Sequence, residues 1–309
     1  MSGHLITWPS LKEKVYEEQP FLIDPYIPVD SIVFLFGATS TGKSPTSWEM
    51  ARAIGTGQSF FGLPTRKGKV LYIDCDSPER VAAERLRMVE HPPSEVFFYF
   101  TAPLSIPNVG VEQMEELVKV RDMVQPDVVF LNTLRKVHDL DDKDSKTPKV
   151  VYSFFQYLFP NTALVFIHHP RKSQTGQGVV EVKRETFSGS MAWLNDAQVG
   201  LMLQKYNAPD GLSNLRLYHV KSQATQLVKP LPLFLADDGV SLSSPLFKEL
   251  LCVYETFHAH YGKSKGEIDK VVASTLGCSV ATARRRREEI EKGHFPGSRR
   301  WLGRDDEEE

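Results

Sequence analysis

The chain has 309 residues, 41% of them hydrophobic and 25% charged, enough to bury a large core in one large domain or in one large and one small. A formal net charge of -2 excludes binding to nucleic acid or membrane through an overall field, so any such partner must be met by local patches. Three widely spaced cysteines, Cys75, Cys252 and Cys278, argue against a disulfide framework or a zinc cluster and fit a reducing compartment.

The opening "MSGHLITWPSLKEK" has no basic segment followed by an apolar one, and no apolar run approaches membrane-spanning length, so the cytoplasm is the expected location and no membrane partner is expected. Residues 1–19 are expected to be a polar lead-in. "FLIDPYIPVDSIVFLFG" then predicts a short extended segment, a turn and a buried strand over Ile32–Phe36. Further strands are predicted over residues 69–74, in "EVFFYF", over residues 127–132 and in "TALVFIHH". Helices are predicted in "PERVAAERLRMVE", behind Ser77 and Pro78, in "VEQMEELVKVRDMV" and in "KVVYSFFQYLF". "AQVGLMLQK" and "LRLYHVKS" are expected to pair antiparallel. Unbroken apolar strands alternating with helices predict an α/β domain over residues 20–235, with a mostly parallel sheet covered on both faces.

The turn-rich "ADDGVSLSSP" is expected to begin a linker over residues 236–246. Beyond it, residues 247–303 show three helical patterns, the last two resembling a helix-turn-helix with Gly277 in the turn and Ser279 as N-cap, so the small domain is expected to be all-α. Residues 304–309 form an acidic tail.

Gly37-Ala38-Thr39-Ser40-Thr41-Gly42-Lys43-Ser44 follows a strand and fits the pattern of a phosphate-binding loop. Backbone N–H groups of such a loop wrap phosphates, the lysine reaches the β and γ oxygens, and the Ser44 hydroxyl is placed to bind Mg²⁺. Pro45 follows at once. In the first turn of a helix proline is tolerated, but it removes one donor from the stretch facing the phosphates, so binding is expected to survive in weakened form.

"LFGATSTGKS", "VLYIDCDSPERVAAERL", "PDVVFLNTLRKVHDLDDKDS", "LVFIHHPRKS" and "FSGSMAWLNDA", in this order, resemble the RecA-like ATPases of the RepA hexameric-helicase type, a group with many phage-encoded members. The resemblance covers roughly residues 20–225 and implies ATP with Mg²⁺ as the ligand and a homo-oligomer, ring or filament. It implies that Asp76, with Asp74 beside it, holds the position of the glutamate that activates water. Asn132 stands where the family has a second metal-site carboxylate, and a neutral amide cannot supply that charge. His168 and His169 match the polar sensor of the γ-phosphate. Lys221 and Gln223 match a Lys-x-Arg that reaches the neighbouring subunit's nucleotide. With glutamine at the arginine position, slow hydrolysis is expected unless Arg216 or Arg184 substitutes.

Basic residues cluster at two predicted loops, Arg135 and Lys136 in one and Arg171, Lys172, Lys183 and Arg184 in the other. The resemblance implies that these loops line a pore and grip single-stranded DNA. Arg284, Arg285, Arg286 and Arg287 lie on the last predicted helix, where contact with duplex DNA is also expected, although pairing of Arg284 with Glu288 would account for part of the run. The acidic tail offers a docking point for a replication partner. The expected function is that of a DNA-associated ATPase of phage or plasmid replication, a helicase or related motor in the bacterial host cytoplasm. A nucleotide-gated loader with little turnover, a single-strand annealing or recombination ATPase, and a sequence-specific regulator remain open.

Overall fold

The structure is a computed structural model and describes residues 5–13, 20–87, 93–141, 144–169, 191–206, 213–244 and 263–291. After a short exposed helix, α1 (Trp8–Glu13), a small hairpin pairs β1 (Phe21–Ile23) with β2 (Ile27–Pro28). The main sheet is built from β3 (Ile32–Phe36), β4 (Val70–Asp74), β5 (Val96–Phe100), β6 (Val128–Asn132), β7 (Ala163–His168), β8 (Val199–Lys205), β9 (Leu215–Ser222), β10 (Leu231–Leu235) and β11 (Leu242–Ser243). Their order is β11-β10-β9-β8-β3-β7-β6-β4-β5. From β8 to β5 neighbouring strands run parallel, whereas β9, β10 and β11 extend the sheet antiparallel. This is the expected α/β class, with a mostly parallel sheet.

The strands β3, β4, β6 and β7 are buried along their whole length. Unbroken apolar sequence is what a sheet covered on both faces requires. Side-chain alternation divides the core in two. Val33, Leu35, Val70, Tyr72, Val128, Phe130, Val165 and Ile167 pack against α2 (Lys43–Thr56) and the β1–β2 hairpin. Phe34, Phe36, Leu71, Ile73, Val129, Leu131, Leu164 and Phe166 pack against α4 (Val111–Val124), α5 (Thr147–Leu158) and α6 (Met191–Asp196). Helix α3 (Glu79–Leu86) follows β4. All the parallel strands end at the edge of the sheet from which α2 departs, and the candidate site lies there.

The turn-rich stretch read as the start of a linker adds β11 to the sheet. The Asp238 carboxylate accepts the N–H of Val240 and of Ser241, each at 2.8 Å, and also the Ser241 hydroxyl, so the chain folds back on β10 at Gly239, whose φ is 71°. An Asx-type turn of this kind is compatible with strand pairing on either side.

Helices α7 (Lys265–Leu276) and α8 (Val280–Glu291) pack on each other. A reciprocal capping box between Ser264 and Glu267 starts α7, Gly277 at φ 64° ends it, and the Ser279 hydroxyl accepts the Thr282 N–H at 3.1 Å to start α8. The helical pattern expected over residues 246–262 and the acidic tail lie outside the described residues.

Candidate nucleotide site

The loop from Gly37 to Gly42 joins the end of β3 to the start of α2. A Cβ on Gly37 would lie 2.2 Å from the Leu203 carbonyl oxygen, so only glycine lets the loop pass β8. Gly42 caps α2 in the left-handed region at φ 79°, and Ser40 adopts φ 59°. Lys43 is 3% exposed and turns its ammonium back into the loop, donating to the carbonyls of Gly37 at 2.7 Å and Ala38 at 2.6 Å. No carboxylate pairs with it among the described residues, and burial lowers its pKa to about 8. Thr46 N–H makes the first bond of α2, to the Gly42 carbonyl at 3.0 Å. Lys43 and Ser44 therefore contribute first-turn donors without an intrahelical acceptor, and Pro45, at the third helical position, contributes none.

Asp74 and Asn132 are register partners at the ends of β4 and β6, each 2% exposed. The Asn132 side-chain amide donates to one Asp74 oxygen at 3.1 Å. The other oxygen accepts the N–H of Asp76 at 2.9 Å and of Ser77 at 2.8 Å. By alternation both side chains face the side of the sheet that carries α2. The Tyr72 hydroxyl, two residues before Asp74, meets the Ser47 hydroxyl of α2 at 2.9 Å. The residue expected to carry the carboxylate chemistry, Asp76, is exposed beyond the strand. Its nearness to His169 shows in its charge, which opposes the lowering of that imidazole's pKa.

The paired histidines differ in burial. His168 is 5% exposed, stacks on Phe34 at 5.5 Å and leaves Nδ1 without a hydrogen bond. Burial, helped by the nearby His169 and Lys43, pushes its pKa down to about 3 and keeps it neutral. His169, one residue on and half-buried, feels both Lys43 and Asp76, and its pKa is lowered by burial and then by Lys43. Both imidazoles feel Lys43, and among the causes acting on the two only His169 also feels Asp76.

Two residues expected to act between subunits make contacts within their own chain. Lys221, matched to a residue reaching a neighbouring subunit, donates to the carbonyls of Leu194 at 2.9 Å, Asn195 at 2.6 Å and Ala197 at 2.6 Å. It thereby holds the C-terminal end of α6, where a cation offsets the helix dipole. Arg216, a suggested substitute for the missing arginine, lies over the Tyr206 ring at 3.4 Å. Gln223 is exposed.

Among the basic residues, Arg135 and Lys136 are exposed on a 3-10 turn (Leu134–Lys136) directly after β6. Arg171, Lys172, Lys183 and Arg184 lie outside the described residues. On α8, Arg284 and Arg285 are exposed, and nothing is described of the Arg286 side chain. Arg284 reaches Asp269 at 3.4 Å, across to α7, in place of the expected Glu288. Arg287 does not belong to the exposed basic surface: it is 6% exposed and donates to both oxygens of Asp269, at 2.7 and 3.1 Å.

A strand, a glycine-bounded loop with a buried lysine, a helix and a polar pair on two neighbouring strand ends define a P-loop ATPase domain. The chain belongs to the AAA domain family, whose model matches residues 7–175. Among solved structures it is similar to a KaiC-like protein from Pyrococcus horikoshii OT3, with 11% identity, a TM-score of 0.48, and coverage of 75% of this chain and 98% of that one. No curated protein matches the chain. Among the described residues no helix is long and apolar enough to cross a membrane.

Proposed function

We propose that the chain binds ATP and hydrolyses it slowly while associated with DNA, as a helicase or related motor of phage or plasmid replication. The supporting observation is the Lys43 ammonium, buried among loop carbonyls with no carboxylate partner among the described residues. A buried cation without an anion is costly, and a polyphosphate at this loop supplies the anion. The donor set fits that group: first-turn N–H groups of α2, a left-handed glycine turn, and the Ser44 hydroxyl where a divalent cation would be held. When bound, Mg²⁺ offsets charge on the phosphate oxygens.

In this reading the residues from Gly37 to Ser44 wrap the phosphates, Asp76 orients the attacking water, and His169 or His168 senses the γ-phosphate near Asn132. Arg135, Lys136, Arg171, Lys172, Lys183 and Arg184 hold single-stranded DNA in a homo-oligomeric ring or filament. Arg284, Arg285 and Arg286 contact duplex DNA. A second reading, a nucleotide-gated loader with little turnover, is favoured by one observation: Lys221 and Arg216, the two cations of β9 that could have reached a neighbouring subunit, are engaged within their own chain.

The test is steady-state ATP hydrolysis with Mg²⁺, with and without single-stranded DNA, for the unsubstituted protein, Lys43→Ala and Asp76→Ala. Stimulation by single-stranded DNA that both substitutions abolish supports the motor. Nucleotide binding that depends on Lys43 without DNA-dependent turnover replaces the motor with the loader.

A further inference from the structure

The resemblance read from the sequence leaves a gap at Asn132, because it implies a metal-holding carboxylate at the end of a strand that here ends in an amide. Asp74, one strand over, fills it. We infer that Asp74 supplies the carboxylate that holds the divalent cation of the bound nucleotide, with Asn132 as its positioning partner, an exchange of acid and amide between adjacent strands. The inference rests on the nucleotide reading above.

Three observations carry it. The first is burial: Asp74 is 2% exposed, and among the described residues no lysine, arginine or histidine forms an ion pair with it. Buried charges are paired or coordinate metals, and Asp76, the other candidate, is exposed and can be solvated by water. The second is the pattern of hydrogen bonds. A carboxylate has about four acceptor sites, and Asp74 uses three of them, two on one oxygen and one on the oxygen facing Asn132. The three fix the orientation of the group and leave acceptor capacity on the oxygen held by the amide.

The third is level along the sheet. The Ser47 and Tyr72 hydroxyls touch at 2.9 Å. From that contact, three residues back along α2 reach Ser44, a rise of about 4.5 Å. Two residues forward along β4 reach Asp74 on the same face, a rise of about 6.6 Å. Because α2 runs back along the strands from the loop, both steps lead towards the loop, and the Ser44 hydroxyl and the Asp74 carboxylate come to similar heights. A hard cation prefers such oxygen donors. Asn132, paired in register with Asp74, keeps the carboxylate from turning away.

The test uses the full-length protein and Mn²⁺ as the probe, read by electron paramagnetic resonance in the presence of a non-hydrolysable ATP analogue. Nucleotide affinity without metal is measured alongside. Asp74→Asn is expected to lose Mn²⁺ affinity by about tenfold or more, while metal-free nucleotide affinity stays within about threefold, since the contacts of Asp74 are to Asp76, Ser77 and Asn132 and not to the loop. The exchanged double variant, Asp74→Asn with Asn132→Asp, is expected to recover most of the Mn²⁺ affinity, and an unchanged melting temperature in Asp74→Asn separates metal holding from a merely structural role. The double variant also provides the reading if Asp74→Asn alone does not fold. Unchanged Mn²⁺ affinity in Asp74→Asn, its loss in Asp76→Asn in that variant's place, or a folded double variant without recovery overturns the inference and leaves the nucleotide reading standing. Absence of nucleotide binding to the unsubstituted protein, with or without metal, overturns both.

Discussion

Replacing Pro45 by alanine adds one N–H to the first turn of α2 at a position where the helix needs none. Thr46 already makes the first intrahelical bond, to Gly42 at 3.0 Å, so the new donor has no acceptor in the helix and faces the loop together with those of Lys43 and Ser44. A hydrogen bond to a charged group contributes about 1.5–3 kcal/mol. Loss of competing water bonds and imperfect aim bring the expected gain to the lower end, roughly a tenfold tighter Kd. Stability moves much less and in the other direction, by about 0.4–1 kcal/mol, because alanine frees the unfolded chain. Titration of a fluorescent ATP analogue into unsubstituted protein and Pro45→Ala, with thermal melts of both, separates the two effects. Equal affinities would refute the reasoning, since they would mean that the first turn of α2 does not face the phosphates.

The other predictions concern packing, protonation and the C-terminal helices. Gly37→Ala drives a Cβ to 2.2 Å from a backbone oxygen of β8, so it should cost about 1–3 kcal/mol and abolish nucleotide binding; a variant with unchanged melting temperature and affinity contradicts the packing. Lys43, with its pKa lowered to about 8 by burial, sheds its proton as pH rises through that value, and polyphosphate binding must restore it. Nucleotide affinity should therefore fall by up to about tenfold per pH unit above about pH 8, and a flat profile there argues against the contact. The sign for folding is opposite: between about 8 and the ordinary lysine value the unfolded chain holds more protons, so stability contributed by this site rises with pH. Arg287→Met strips Asp269, 1% exposed, of its bidentate partner and leaves the half-exposed Arg284 beside it. Burial raises the Asp269 pKa, but hydrogen bonds and charge from Arg287 and then Arg284 outweigh it and hold the carboxyl below its usual range. The loss should destabilise the α7–α8 pair by about 3–5 kcal/mol, seen as faster amide exchange there, and unchanged exchange refutes it.

The strands were legible because a parallel sheet covered on both faces needs unbroken apolar runs, and α4 spans Val111–Val124 as its apolar spacing and the following Pro126 predict. What the sequence concealed depends on which way side chains point. Asp74 and Asp76 lie two residues apart in one motif, but only Asp74 ends the alternating series of Val70 and Tyr72 on the α2 face. That signal was available in the strand's period of two. Lys221 matches a motif by its place near the end of a late strand, whereas its hydrogen bonds to the carbonyl end of α6 are a tertiary fact. Arg287 is one of four consecutive arginines, and its burial is set by Asp269 on another helix. In the stretch 236–244, the polar composition that suggested a linker is the composition of a tight turn between two strands.

The two edges of the sheet are finished differently. One ends in β11, only two residues long, too short to recruit another chain. The other ends in β5, whose sequence is Val-Phe-Phe-Tyr-Phe and whose Phe97 is 38% exposed; among the described residues no strand lies beyond it. A short aromatic strand without charge or proline is a template for pairing with its own kind. Heating or crowding this protein should therefore produce β-rich aggregates seeded at that edge before the phosphate loop is lost, and a lysine in place of Phe97 would be the economical way to keep it in solution.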